Sequence, residues 1–229
     1  MKCAIVAAAL LTLFAATAST PVHDPVIWLM FFMRGSVAAP KDEKVVATMM
    51  EGHLGNMRHQ ASLDHLLVAG PLQDPTKERR GITVVAARDL DEVKSFFKDD
   101  PFVKLGSMTV AAFPWKVDRS RFTSKVDPNA LAPYRLVLIR RGKGMRPEND
   151  AMGKEHRATM DALTEAMKPG VWGEISHLDK VREVAIVTGD DTQKVMDAFA
   201  NDPLVKAAIL EVEVVPLWMS KGVILPKSE

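Results

Sequence analysis

Histidine is the side chain whose unperturbed charge change falls near neutral pH, and this 229-residue sequence holds six. His53 stands out among them. Val46, Met50 and Met57 lie at −7, −3 and +4 from it, positions that share one face of a helix. An imidazole on an apolar face is costly unless it is paired or used. His156 repeats the placement, between Met152, Met160 and Leu163. A carboxylate beside such a ring would orient it for acid–base work. Asp74, just after a Gly-Pro turn, is the first choice of partner for His53; Asp100, ahead of Pro101, is the second. Each residue also has a plainer explanation: the ring as a core histidine satisfied by backbone, Asp74 as a turn residue, Asp100 as a helix-end residue. Gly52 and Gly55 flank His53 at a helix cost of about 1 kcal/mol each, tolerable where the backbone must pass close to something.

Further candidates are less specific. Arg34 ends the first apolar run and could contribute to ligand binding. Trp115 could line a cavity for an aromatic ligand, although core packing explains it equally well. His156, Glu174 and His177 could build a different site in the second half. Those residue types can ligate zinc, but their spacing matches no strong motif, so no metal is expected. His53, His59 and His65 are six residues apart, roughly 240° around a helix, and do not share a face. Phosphate loop, dinucleotide fingerprint, serine nucleophile elbow and redox cysteine pair are all missing from the sequence, and no cofactor is expected.

The elements that must position these groups come twice. His53 precedes Gly70 by 17 residues, and His156 precedes Gly173 by 17; His53 precedes Asp100 by 47, and His156 precedes Asp202 by 46. The strings LLVAGPL and GVWGEIS, KDDPFVKLG and ANDPLVKAA, WLMFFMRG and LVLIRRG, and VAAFPWK and EVVPLWM fall in the same order, which points to an internal duplication. Apolar runs at 27–33, 66–69, 82–87 and 108–113 predict strands, and helical spacing after Asp42 and after Asp89 predicts helices, giving β-α-β-β-α-β. The second half repeats it, with strands at 136–139, 171–172, 184–188 and 209–215 and helices at 151–167 and 192–200. The fold class is therefore α+β: two ferredoxin-like repeats, each an antiparallel sheet with helices on one face. Their other faces are expected to cover each other, sheet to sheet, as an intramolecular α+β barrel pseudo-dimer. The expected domains are 24–117 and 134–219, joined by a linker at 118–133 and followed by a loose tail at 220–229.

The first 18 residues read as a secretory signal peptide: Lys2, an apolar run from Ala4 to Ala16, and a small-x-small site ending at Ala18. Cleavage there would leave 29 basic against 29 acidic residues and no cysteine, and an exported chain, periplasmic or extracellular. A neutral chain has no general electrostatic pull on nucleic acid or an anionic membrane, so neither is expected as a partner of the mature form.

The segment HLGNMRHQASLDHLLVAGPLQD, from His53 to Asp74, with Asp100-Pro101-Phe102-Val103-Lys104 and Pro114-Trp115, resembles the YciI-like (YCII-related) family. The resemblance covers nearly all of the first half and is weaker in the second, where Glu174 replaces Pro71 and His177 replaces Asp74. It implies the dimeric α+β barrel superfamily, several of whose members carry out small-molecule chemistry in barrel cavities. A few relatives act on chlorinated or hydroxylated aromatics, and a His–Asp pair is the site usually suggested. Two functions are carried forward. One is a cofactor-free, lyase- or isomerase-like enzyme acting on a small organic ligand, aromatics included, through His53 and an aspartate. The other is a non-catalytic binding or structural domain. Either is compatible with a homo-oligomer.

Overall fold

Strand β1 (Val26–Arg34) alternates Ile27, Leu29 and Phe31 with Trp28, Met30 and Phe32, and all six are buried. A strand that is apolar on both faces must be covered twice. A computed structural model, which describes residues 25–145 and 147–227, shows how. Residues 1–18, read as the signal peptide, lie outside the described part.

After β1 the first half continues through α1 (Glu43–Ser62), β2 (Leu66–Pro71), β3 (Arg79–Ala87), α2 (Leu90–Phe97), α3 (Pro101–Leu105) and β4 (Met108–Pro114). The second half repeats this order as β5 (Leu131–Arg141), α4 (Asp150–Ala166), β6 (Val171–Glu174), β7 (Val181–Thr188), α5 (Thr192–Ala198), α6 (Pro203–Lys206) and β8 (Leu210–Ser220). The sheets are antiparallel, ordered β2-β3-β1-β4 and β6-β7-β5-β8. Asp42, Asp89, Asn149 and Asp191 cap their helices with side-chain acceptors, satisfying amides the helix leaves free. Asp100-Pro101 does more than end α2: Asp100 caps the separate short helix α3, with Pro101 in its first turn.

The faces holding Ile27, Leu29 and Phe31 and holding Leu136, Leu138, Val215 and Leu217 meet in one intersheet core. The opposite faces pack on helices in two further clusters, Met30 and Phe32 with Met57 and Phe97 in one, Val137 and Ile139 with Met160 and Phe199 in the other. Each fully buried side chain of this size contributes about 1.5–3 kcal/mol, so the sheet-to-sheet packing expected of a pseudo-dimer is the dominant apolar layer.

Two seams close the sheets into a barrel. Leu72 bridges to Leu217, with Gln73 N donating to Pro216 O at 2.9 Å. Trp115 bridges to Ile175, with Lys116 N donating to Glu174 O at 2.8 Å. The aligned glycines sit at these seams. A Cβ on Gly70 would lie 1.9 Å from Trp218 O, and one on Gly173 would lie 2.2 Å from Lys116 O. The C-terminal tail is less loose than expected, and it docks on the segment between the halves. Phe122 pairs with Ile224, and Phe122, Val223 and Ile224 are buried in the intersheet core.

Candidate functional site

The two histidines occupy equivalent places on α1 and α4, and each is tied to the aspartate that starts the following short helix. His53 Nδ1 lies 2.6 Å from Asp100 Oδ2, and His156 Nδ1 lies 2.7 Å from Asp202 Oδ2. In both halves the other carboxylate oxygen accepts backbone amides: Phe102 and Val103 donate to Asp100, Leu204 and Val205 to Asp202. One carboxylate thus caps a helix and orients a ring. A carboxylate only accepts, so Nδ1 carries the proton in both. Gly52 serves this geometry: a Cβ there would meet Pro101 Cγ at 2.7 Å, and its absence lets α1 approach α3. Gly55 has no such close neighbour.

The two rings differ at the far nitrogen. His156 Nε2 is 2.8 Å from Glu183 Oε2, and the side chain is 2% exposed. With a carboxylate on each nitrogen, both must carry protons, and the ring is an imidazolium. Burial alone would pull its pKa down, but the hydrogen bonds and charges of Asp202 and Glu183 together raise it to about 9. His53 is 15% exposed, and among the described residues Nε2 has no hydrogen-bond partner. Its ring is held edge-on by Phe32 and Phe102. The strand registers explain the difference. Glu183 lies opposite Ile139, and its counterpart opposite Phe32 is Gly81, which has no side chain to offer.

The other expected site residues fall elsewhere. Asp74, the first choice of partner for His53, is instead clasped by Arg79, whose Nε donates to Oδ2 at 3.0 Å, with Arg79 N, Thr76 N and Thr76 Oγ1 adding further bonds. Burial would raise its pKa, yet these donors hold the carboxyl well below the usual carboxylate range. Arg79 also pairs with Glu213, which is 2.6 Å from Arg140 Nε. This charged chain edges a cavity of about 670 Å³ between the sheets, lined by Phe31, Met33, Phe113 and Leu138. Phe31 and Phe32 point to opposite faces of β1, so the cavity and the His53 ring lie on opposite sides of the sheet. Trp115 is a seam residue, 2% exposed, with Nε1 donating to Gly173 O. Arg34 is exposed and 3.8 Å from Glu78. Glu174 is exposed beside Lys116, and His177 is exposed in the β6–β7 turn; neither joins His156. No group of three His, Cys, Asp or Glu suited to a metal ion occurs among the described residues. The carboxylates of His156 sit on opposite ring nitrogens and cannot converge on one ion.

Residues 30–116, which contain His53, Asp100 and Gly81, match the YCII-related domain. The first half is similar to the YCII-related domain over that segment. The matched segment carries the open histidine and ends at Lys116, one residue past the seam tryptophan. Solved structures extend the likeness over both halves. A candidate monooxygenase from Lactobacillus acidophilus aligns at 11% identity over 90% of this chain and 100% of its own, with a TM-score of 0.50. A candidate chlorite dismutase aligns at 7% identity over 87% and 96%, with a TM-score of 0.58. Chlorite dismutase from Candidatus Nitrospira defluvii, in complex with imidazole, aligns at 15% identity over 85% and 91%, with a TM-score of 0.53. These are dimeric α+β barrel proteins, and at such identities they establish the fold alone. No curated protein matches the sequence.

Proposed function

We propose that the protein is a small-molecule enzyme in which His53, oriented by Asp100, moves a proton on a bound organic substrate in a lyase- or isomerase-like step. The observation that carries this is the unpartnered, partly exposed Nε2 of a ring whose Nδ1 is anchored 2.6 Å from a buried carboxylate. With Nδ1–H held by Asp100, the neutral ring presents its Nε2 lone pair outward as a base. Once that nitrogen takes a proton, Asp100 stabilises the resulting cation, and Nε2–H becomes the acid that returns it. General acid–base catalysis of this kind contributes roughly 10²–10⁴-fold in rate, and it needs only the ring and its carboxylate.

Deuterium wash-in tests the proposal. The protein in D₂O is offered a panel of small carbonyl and hydroxylated or chlorinated aromatic compounds, and loss of carbon-bound proton signals is followed. The wild type and His177→Gln exchange at equal rates, and His53→Gln does not exchange above solvent. Equal exchange by wild type and His53→Gln would contradict it. A second reading has its own support: the same His–Asp bond recurs at His156, where nothing can reach the ring, and the 670 Å³ cavity lies on the other sheet face. On that reading the pair is a latch between helices, and the protein binds a ligand between its sheets without turnover. The proposal includes export. Protein recovered from the periplasm or medium begins at Ser19, and a chain beginning at Met1 would exclude cleavage after Ala18.

A further inference from the structure

We infer that the ligand group received by His53 once Nε2 is protonated is a carboxylate, held as the protein's own Glu183 is held in the other half; this rests on the acid–base proposal, in its proton-loaded state, and names its ligand class as small organic acids. The two halves place a histidine, an aspartate and a short helix in the same relation, so the second half serves as an internal control for the group that Nε2–H binds. There Nε2–H donates to a carboxylate oxygen at 2.8 Å. In the first half the residue that would supply that carboxylate is Gly81. The replacement is enforced by the backbone: a Cβ at Gly81 would lie 2.9 Å from Gly70 O, so β2 must move before any side chain fits there.

A second, independent observation points the same way. Thr83, two residues along β3 and on the same helix-facing side as Gly81, is fully buried, and its Oγ1 has no hydrogen-bond partner among the described residues. A buried hydroxyl left unpaired costs about 1–3 kcal/mol. Its counterpart in the second half, by register opposite Val137 as Thr83 is opposite Met30, is Ala185. The half with its own carboxylate has a methyl at this position, and the half without one has a donor. A carboxylate arriving from solvent has two oxygens to satisfy: Nε2–H takes one, and the Thr83 hydroxyl is placed on the face where it can serve the other. The charge balance has a precedent in the molecule, since one imidazolium between two carboxylates is what surrounds His156.

The test uses the full chain with benzoate as probe and benzyl alcohol and benzylamine as controls, read by the imidazole nitrogen and proton signals of each histidine. Benzoate shifts the His53 signals saturably and leaves those of His156 in place, and the two controls shift neither. Thr83→Val weakens benzoate binding roughly tenfold, the loss expected of one hydrogen bond to a charged group. His53→Gln abolishes the saturable response. In Glu183→Ala, where the internal carboxylate is gone, His156 becomes responsive to acetate. Unmoved His53 signals, or equal shifts from benzyl alcohol, would overturn the inference; the wild-type titration decides this even where a variant does not fold. Failure here with His53-dependent deuterium wash-in intact removes the ligand class and leaves the enzyme. Benzoate binding without any wash-in keeps the carboxylate site and removes the enzyme.

Discussion

Replacing Glu183 by glutamine should change how the stability of the fold depends on pH. His156 has a pKa of about 9 in the folded protein against an ordinary 6.5. Each unit is worth about 1.4 kcal/mol, so the ring stabilises the fold by about 3 kcal/mol when it is charged in both states. Its 2% exposure leaves solvent little room to screen the interaction. A raised pKa favours the folded state most at low pH. The contribution is complete below about pH 6.5 and disappears as pH rises towards about 9. The lowered pKa of Asp202 belongs to the same interaction and is not counted again; there burial pushes the pKa up, and His156 and the capping amides outweigh it. Urea unfolding at fixed ionic strength measures the effect. The wild type should lose about 3 kcal/mol between about pH 6 and pH 9.5 beyond what its other groups contribute. Glu183→Gln keeps an acceptor but no charge, and should show a smaller loss over the same interval. A wild-type stability flat across that interval, or the same slope in both proteins, would refute the argument that two carboxylates hold this ring charged.

The barrel seams make Gly70→Ala and Gly173→Ala destabilising, because their new methyl groups would meet backbone oxygens at 1.9 and 2.2 Å, and thermal melts should fall for both while Gly55→Ala leaves the melt unchanged or raised. Asp74→Asn should cost about 1–3 kcal/mol in urea unfolding, because Arg79 keeps Glu213 but loses its charge-assisted bonds to Asp74. Because the Asp74 pKa is depressed, the wild type keeps that contribution at neutral pH and loses it only as pH falls below the usual carboxylate range. Ile224→Ala, in the tail, should cost about 2–5 kcal/mol, since the side chain is 1% exposed in the intersheet core; a cost near zero would mean that the tail is not docked.

The architecture was readable because each element has its own apolar period, and the periods recur at matched spacings. Strand β1 announced a strand buried on both faces, and that forced a second sheet over it. The equivalence of Gly70 and Gly173 was visible, but its meaning was not: a close approach between β2 and β8 depends on how the halves meet, and local sequence does not encode it. Asp74 was favoured over Asp100 because it follows a turn near the end of β2. That turn carries it to the cavity side of the sheet, whereas Asp100 is brought to His53 by the packing of α3 on α1. The recurrence of Asp100 as Asp202 suggested a structural role, and the structure gives each of these carboxylates two roles, one per oxygen. Nothing local marks Glu183 as a partner of His156: it stands just ahead of the apolar run 184–188, and only strand register brings it under α4. The tail carries no periodicity, so the burial of Val223 and Ile224 had no local signal.

One contrast separates the halves: a histidine open at Nε2 in the first and its twin closed in the second. Carbethoxylation of the folded protein, mapped to individual histidines by peptide mass spectrometry, tests that contrast directly. His53 should be modified on the time scale of the exposed His177, while His156 stays unmodified until the chain unfolds. Protection of His53 to the same degree as His156, or modification of both at one rate, would contradict it.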